Sequence, residues 1–478
     1  MHIPEPNLES VSTINPDGSR RFLHPFDVRG PFSFLRRLLG LLLIAVYVAL
    51  PWIKINGYPA VFLDLLHRRF HFFGITLAAQ DFWVAFFLIS GVAFSLFYVT
   101  ALLGRLWCGW ACPYTVFLEH VYRRVERWID GDAPARRKLD DAPWTASKIV
   151  RRVLKHGIYL LLSALIANIF LSYFVSLPRL YEMMGESPAA NAKAFGVVAF
   201  LTGALYFCFA WFREQFCIIL CPYGRIQSAL TDEHTVIIGY DEKRGEPRGK
   251  ASDPNAGDCI DCHRCVQVCP TGIDIRNGLQ LECIGCSNCI DACDAIMAKL
   301  NRPKGLVRYA SEEGLEGRKT KFVRPRIVLY TILLALGVAV FAISVRGLKP
   351  IGASAVRMRG SAYYVTDGYV RNQFMVHLLN KRNRVSHFIV KLVDPPEGAE
   401  VSGFENSVPV PPMGEEAHPL IVRVPVDRYE GPFTVTYEVS SEQGKARFTK
   451  DVAFLGPEPE LLREALAEEA ASKPIASP

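Results

Sequence analysis

The chain has 478 residues, 50% hydrophobic and 21% charged, with a formal net charge of +7. So much apolar material excludes a disordered chain and, beside that many charges, requires segregation along the sequence. No nucleic-acid-binding motif is present, and the Lys/Arg excess follows a membrane topology instead.

Residues 1–37 form a polar arm, too long and too polar ahead of its first apolar run for a cleavable signal peptide. Five runs without a charge follow, at 38–53, 82–104, 157–178, 194–212 and 327–345. Each predicts a membrane span; the last four reach the length of about 20 residues, and the first extends to Ile55 if Lys54 snorkels. The segment 105–155 carries eleven Lys/Arg, against three in 54–79 and two in 178–193. This bias predicts the arm, 105–155 and 213–326 in the cytoplasm, and the C-terminal region in the periplasm. Twelve of thirteen cysteines then fall in or beside reducing segments, with Cys208 inside span four.

Within the basic loop, 113–129 is amphipathic, with Val116, Phe117, Val121 and Trp128 near one face, which predicts a helix on the membrane surface. The stretch 130–143 is polar and holds two prolines, which predicts a loop. After 346 the pattern shortens. Segments 363–365, 373–379, 386–393, 420–425, 433–439 and 446–454 predict six or seven strands of an immunoglobulin-like sandwich. The tail 457–478, acidic and Ala-rich, reads as a frayed helix or disorder.

Eight cysteines fall in two runs, Cys259-x2-Cys262-x2-Cys265-x3-Cys269-Pro270 and Cys283-x2-Cys286-x2-Cys289-x3-Cys293. This is the double ligand run of a bacterial two-cluster ferredoxin, where the fourth cysteine of each run serves the other cluster. One [4Fe–4S] cluster is expected on Cys259, Cys262, Cys265 and Cys293, the second on Cys283, Cys286, Cys289 and Cys269. Zinc favours two separated pairs, and disulfides do not require two copies of one spacing. Asp294 stands where the second run would often carry proline, a residue that ligates nothing.

A second constellation repeats. Cys108-x3-Cys112-Pro113-Tyr114 follows span two, and Cys217-x3-Cys221-Pro222-Tyr223 follows span four. Two spans per copy, in the same order, predict a parallel internal repeat. On a helix the i,i+4 spacing stacks both thiols on one face, and the proline ends that helix. Such a pair suits Cu(I) or a redox dithiol, with plain burial as the structural alternative. Weaker candidates have blander readings. His67 and His71 read as an interfacial basic cluster rather than a metal pair, Met183-Met184 as interface packing, and His120 as a surface residue. His156 reads as an interface anchor and Cys208 as packing.

Several stretches then point the same way: His24-Pro25, Pro51-Trp52-Ile53-Lys54-Ile55-Asn56-Gly57, Arg68-Arg69-Phe70-His71, Trp107-Cys108-Gly109, Ala135-Arg136-Arg137-Lys138-Leu139 and Cys289-Ile290-Asp291-Ala292-Cys293-Asp294. With both cysteine constellations, the chain from about 20 to 455 resembles the CcoG (FixG/RdxA) family of cytochrome c oxidase accessory proteins. The resemblance implies a multi-domain membrane protein. Its parts are an arm (1–37), a helical membrane domain (38–239), a cytoplasmic α+β ferredoxin insert (240–326), a fifth span (327–345), a periplasmic Ig-like sandwich (346–456) and a tail (457–478). It implies a bacterial inner-membrane cupric reductase serving the copper site of cbb-type oxidases. Electrons would pass from the clusters to Cys108, Cys112, Cys217 and Cys221, with copper captured there. The partners implied are membrane lipid, oxidase subunits or copper chaperones and transporters, an electron donor, and a second copy of the chain. Two alternatives stand beside it: a quinol-to-partner subunit like those of nitrate and nitrous-oxide reductase systems, and a scaffold whose clusters sense redox state.

Overall fold

The structure, a computed structural model, describes residues 22–66, 68–78, 81–382, 384–441 and 447–464. His67 and most of the tail lie outside that set. The chain divides into two units, 1–344 and 345–478.

Among the described residues five helices are long and apolar enough to cross a membrane: Pro31–Ala49, Phe82–Leu103, Ala146–Leu171, Ala192–Phe212 and Pro325–Arg346. Their flanks expose Leu41, Phe86, Leu161, Phe200 and Leu336, as helices facing lipid do. Two spans begin seven or more residues before their charge-free runs. Span one starts at Pro31 and carries Arg36, buried and donating to the Gly109 carbonyl at 2.7 Å. Span three starts at Ala146 and carries Lys155, which meets Asp130 at 2.5 Å. Charges enter these helices where a partner neutralises them, so the apolar run marks the lipid layer and not the helix.

Between spans one and two, Val61–Asp64, Arg69–Phe72 and Ile75–Leu77 form a three-stranded antiparallel sheet. His71 sits inside it, stacked on Tyr58 at 4.1 Å and 2.9 Å from Thr76 Oγ1. It is therefore a core residue and not part of an interfacial basic cluster; burial pushes its pKa down to about 4.

The segment 113–129 is helical throughout, as Pro113–Phe117, a π-turn at Leu118–Tyr122 and Arg123–Ile129. It does not lie flat on a membrane. Glu119, Arg123 and Glu126 are buried while Trp128 is 79% exposed, because the charges close on partners inside the protein. His120 is not on the surface either: it packs on span one, where a Cβ on Gly40 would come within 2.3 Å of its ring. The expected loop after 130 is a helix, Ala133–Asp141, started by Pro134 in its first turn and capped by Asp132 accepting from the Ala135 amide at 3.1 Å. Met183 and Met184 lie on a short helix, Leu177–Gly185.

The iron–sulfur region is closed by one antiparallel pair, Ile237–Tyr240 with Val307–Ala310. Its core gathers Ile238, Ile273, Ile275, Ile290, Met297 and Leu306. The second unit is a two-sheet sandwich. One sheet orders Glu400–Ser402, Glu415–Pro425, Tyr369–Asn380 and Ile351–Arg357, with Tyr364–Thr366 added to the third; the other orders Val408–Val410, Ser386–Val393, Phe433–Ser441 and Arg447–Phe454. Val376, Leu378, Phe388, Val422 and Val439 close the core between them. The three strands missing from the sequence pattern, 351–357, 400–402 and 408–410, are all edge strands with a single neighbour.

Candidate functional site

Residues 104–114 and 213–223 follow one backbone path, 109 positions apart. Span two ends at Gly104 with φ 54° and ψ −129°, span four at Arg213 with φ 49° and ψ −127°. Arginine has a Cβ to strain there and glycine has none. Cys108 then sits in the turn Leu106–Trp110, and Cys217 in the π-turn Phe216–Leu220. Cys112 (φ −60°, ψ 123°) and Cys221 (φ −66°, ψ 114°) are extended and precede the helices Pro113–Phe117 and Pro222–Leu230. The expected i,i+4 stacking on one helix is thereby corrected. A proline drives the residue before it out of the helical region, so the second thiol leaves the first thiol's helix.

What that departure achieves is convergence. The Cys108 thiol feels the charges of Cys112 and Cys221, and Cys217 feels Cys112, Cys108 and Cys221. The two motifs make one four-thiol neighbourhood. Tyr114 donates to the Arg213 carbonyl at 2.6 Å and the Cys208 carbonyl at 3.0 Å, while the Tyr223 hydroxyl lies 2.5 Å from Thr100 Oγ1. Each tyrosine reaches the end of the other copy's span, the reciprocal contact a two-fold arrangement produces. Burial pushes the Cys108 thiol up to about 12 and raises Cys112 and Cys217; the Arg105 guanidinium opposes this at Cys108 and Cys217.

The eight cysteines of the two ferredoxin runs lie close to one another. Cys293 faces Cys265, Cys259 and Cys262, and Cys283 faces Cys269 and Cys286. Each loop uses the same two left-handed positions: Asp261 (φ 55°) and His263 (φ 52°) in one, Gly285 (φ 67°) and Ser287 (φ 64°) in the other. These turns aim amides at sulfur, Val266 at Cys265, Gly285 at Cys283 and Asn288 at Cys286. Cys265, Cys269, Cys283, Cys286 and Cys289 line one small cavity with Ile284 and Thr271. All thirteen cysteines are free thiols. Burial pushes Cys265, Cys283 and Cys293 up to about 12 and Cys286 to about 11. Thiols gathered around a cavity, held protonated by burial and met by amide donors, form the donor set that an iron–sulfur cluster converts to thiolates. Asp294 serves the backbone instead, accepting the Gly305 amide at 2.8 Å.

The two constellations touch. A Cβ on Gly109 would lie 2.6 Å from the Ile284 carbonyl oxygen and 2.8 Å from Cys286 Cα. Cys108, Ile284, Cys286 and Tyr223 pack as one cluster. Trp110 Nε1 donates to the Tyr309 hydroxyl at 3.1 Å, which donates to the Gly285 carbonyl at 3.0 Å. Arg105 influences Cys108, Cys217 and Cys283 together.

Behind the junction lies a buried ionic network that sequence reasoning missed. Arg123, fully enclosed, pairs with Glu119 and with Glu214 at 3.1 Å and donates to the Pro270 carbonyl at 3.3 Å, next to Cys269. Arg213 and Arg136 meet Glu126 at 2.8 and 3.2 Å. Burial would raise both glutamates, but Arg123 at Glu119 and Arg213 at Glu126 outweigh it and hold each at about 2. Only the i,i+4 pair Glu119–Arg123 left a signal in the sequence.

Residues 212–312 match the family model of a 4Fe-4S dicluster domain, 82–131 that of a 4Fe-4S binding domain, and 341–457 that of the IG-like fold at the C-terminal of FixG. Over 374 residues the chain is 38% identical to protein RdxA of Cereibacter sphaeroides, covering 75% of this chain and 79% of that protein. The chain belongs to the FixG/RdxA family. It is 39% identical to the nitrogen fixation protein FixG of Rhizobium meliloti over 61% of this chain and 57% of that one. With protein RdxB of Cereibacter sphaeroides it shares 36% over 78% of this chain and 82% of that one. It is thus a FixG/RdxA-type iron–sulfur electron-transfer protein with membrane-crossing helices and a C-terminal Ig-like domain.

Proposed function

We propose that this FixG/RdxA protein reduces Cu(II) to Cu(I) at the site formed by Cys108, Cys112, Cys217 and Cys221, for assembly of the copper site of a cbb-type oxidase. Cys259, Cys262, Cys265 and Cys293 would hold one [4Fe–4S] cluster, and Cys283, Cys286, Cys289 and Cys269 the other. The clusters, when bound, supply one-electron reducing equivalents. The four thiols do the rest: soft sulfur binds Cu(I) better than Cu(II), so capture itself favours the reduced ion. The Lys/Arg bias supports a bacterial inner-membrane protein with the iron–sulfur region in the cytoplasm and the Ig-like domain in the periplasm, docking oxidase subunits, copper carriers or a second copy of the chain.

The convergence of thiols from both repeat halves, packed directly on residues 284–286, carries this reading. Its test is a Cu(II) titration of the reduced, purified protein with Cu(I) followed by a chelator. The variant with all four cysteines changed to serine should lose Cu(I) formation while keeping its iron; an unchanged rate would place the chemistry elsewhere.

A second reading rests on one observation: the match to a 4Fe-4S binding domain at 82–131 spans Cys108 and Cys112. Four thiols are also the ligand complement of one cubane. Iron analysis separates the two, since two clusters give roughly eight iron atoms per chain and three give roughly twelve.

A further inference from the structure

Between the start of span three and the end of span four lies a cavity of about 780 Å3. That size is ordinary for a small-molecule site. Its rim carries Trp144 and Trp211, 74% and 47% exposed, aromatic residues of the kind that mark the border of the apolar layer. Its floor is polar and buried: Arg213 and Glu126 meet there at 2.8 Å. Two atoms of lining residues, Arg213 Nε and His24 Nδ1, are buried and have no hydrogen-bond partner among the described residues. On the wall, His156 Nδ1 lies 3.0 Å from the Tyr206 hydroxyl. The cavity therefore joins an amphiphile's entrance to a ring-lined pocket with spare polar atoms.

We propose that this cavity binds the aromatic headgroup of a membrane quinol, the reductant of the protein. The charges discriminate against a phosphate headgroup. Lys155 is paired with Asp130 at 2.5 Å, Arg152 with Asp140, and Arg213 with Glu126; Lys148 is held by the Asp140 and Ala142 carbonyls at 2.9 and 2.5 Å. An anionic group would find three of these four cations already paired with carboxylates. A neutral ring with two opposed oxygens matches what is left: the Arg213 and His24 nitrogens on one side, and the His156–Tyr206 pair on the other.

Position supports the same occupant. Arg213 is the residue whose strained backbone opens the second Cys-x3-Cys motif, and its carbonyl receives Tyr114 from the first. Glu126, paired with Arg213, also feels the charge of Arg123, whose guanidinium donates to the Pro270 carbonyl beside Cys269. Oxidation of one hydroquinone breaks two O–H bonds and yields the quinone, two protons and two electrons. One proton passes to His156 and the other to water at the mouth. The electrons leave singly to the chain's iron–sulfur centres and would reduce two Cu(II) to two Cu(I). That last step rests on the function proposed above; the binding does not.

The test uses the full-length protein in lipid nanodiscs. A photoreactive short-chain quinone should label the segment around Tyr206–Trp211 or His156, and unmodified quinone should compete. H156Q together with Y206F should weaken quinone binding about tenfold or more, with iron content and dithionite-driven Cu(I) formation unchanged. Y206F alone separates the hydroxyl from a packing defect, because the ring remains. Equal binding in wild type and the double variant would overturn the proposal. So would labelling displaced by anionic lipid vesicles but not by quinone. If dithionite fails to drive copper reduction in the wild type while quinone still binds, the cupric reading falls and this one stands.

Discussion

Two duplications of cysteine motifs meet in this molecule, and they solve different problems. The ferredoxin runs are copies 24 residues apart, close enough for each to fold as a local loop. The Cys-x3-Cys-Pro motifs are copies 109 residues apart; each is incomplete until two spans of the other copy are in place. In the first, sulfur lies in an apolar core with amides aimed at it. In the second, sulfur lies at a seam, flanked by Tyr114, Tyr223 and Arg105. A local duplication suits a resident cofactor that is part of the fold. A seam between halves suits a visitor that must arrive and leave.

The largest expected effect breaks that contrast at its root. Cys286→Ser should remove about half the iron, because its cluster is also folding energy. The loss of the visible absorbance should come with a marked fall in thermal midpoint. Cys108→Ser should leave both nearly intact. Equal damage from the two would mean that the seam, too, holds a structural cofactor.

The next effect sharpens the claim of one site. Single substitutions Cys112→Ser and Cys221→Ser should each weaken Cu(I) binding by at least the roughly 100-fold that even an outer-shell change can cost. The double variant should be little worse than either, since groups sharing one site are not additive. Competition with a Cu(I) chelator measures this; a doubled loss would restore two independent pairs.

How much of this was legible follows the same division. The two cluster-binding runs could be written from spacing alone, because eight cysteines in two short loops repeat one pattern. The convergence of Cys108 with Cys221 could not, because it depends on where helices separated by a hundred residues pack. The π-turn at Phe216–Leu220 left no signal in the sequence either, whereas the break before each proline is a local effect that the Cys-Pro pair announces. The spans were readable as charge-free runs, yet their starts at Pro31 and Ala146 were not, since Arg36 and Lys155 are neutralised by residues far along the chain. Pro134 shows a local ambiguity: proline ends one helix and starts another, and only the Asp132 cap decides. The three missed strands of the sandwich sit at sheet edges with one neighbour each, and two of them are only three residues long.

A smaller effect tests the contact between the two duplications. Gly109→Ala drives a methyl group against the Ile284 carbonyl and the Cys286 backbone, which cannot swing aside as a side chain can. A destabilisation of about 1–3 kcal/mol is expected from overpacking of this kind. Cu(I) affinity should hold, since no thiol is altered, while copper reduction should slow as the loops separate. Chemical denaturation and stopped-flow reduction on one preparation would show whether stability and rate move together.

The finest test concerns the ions behind the junction. Glu119 and Glu126 are held at about 2 by Arg123 and Arg213, against an ordinary value of 4.5. A carboxyl with a depressed native pKa binds fewer protons folded than unfolded, so its stabilisation is complete above the unfolded value and is lost as pH falls toward the folded one. Stability should therefore be level from neutral pH down to 4.5, then decline toward 2. Acid also releases iron, so the native protein alone cannot assign the decline. Glu126→Gln leaves Arg213 and Arg136 buried without a counter-charge, a loss of about 3–5 kcal/mol at neutral pH, and it should flatten the acid limb. Denaturation midpoints of both proteins at several pH values separate the carboxylate's share from the iron's. A variant whose acid limb stayed parallel to the native one would remove Glu126 from the account and leave the decline to Glu119 and the metal.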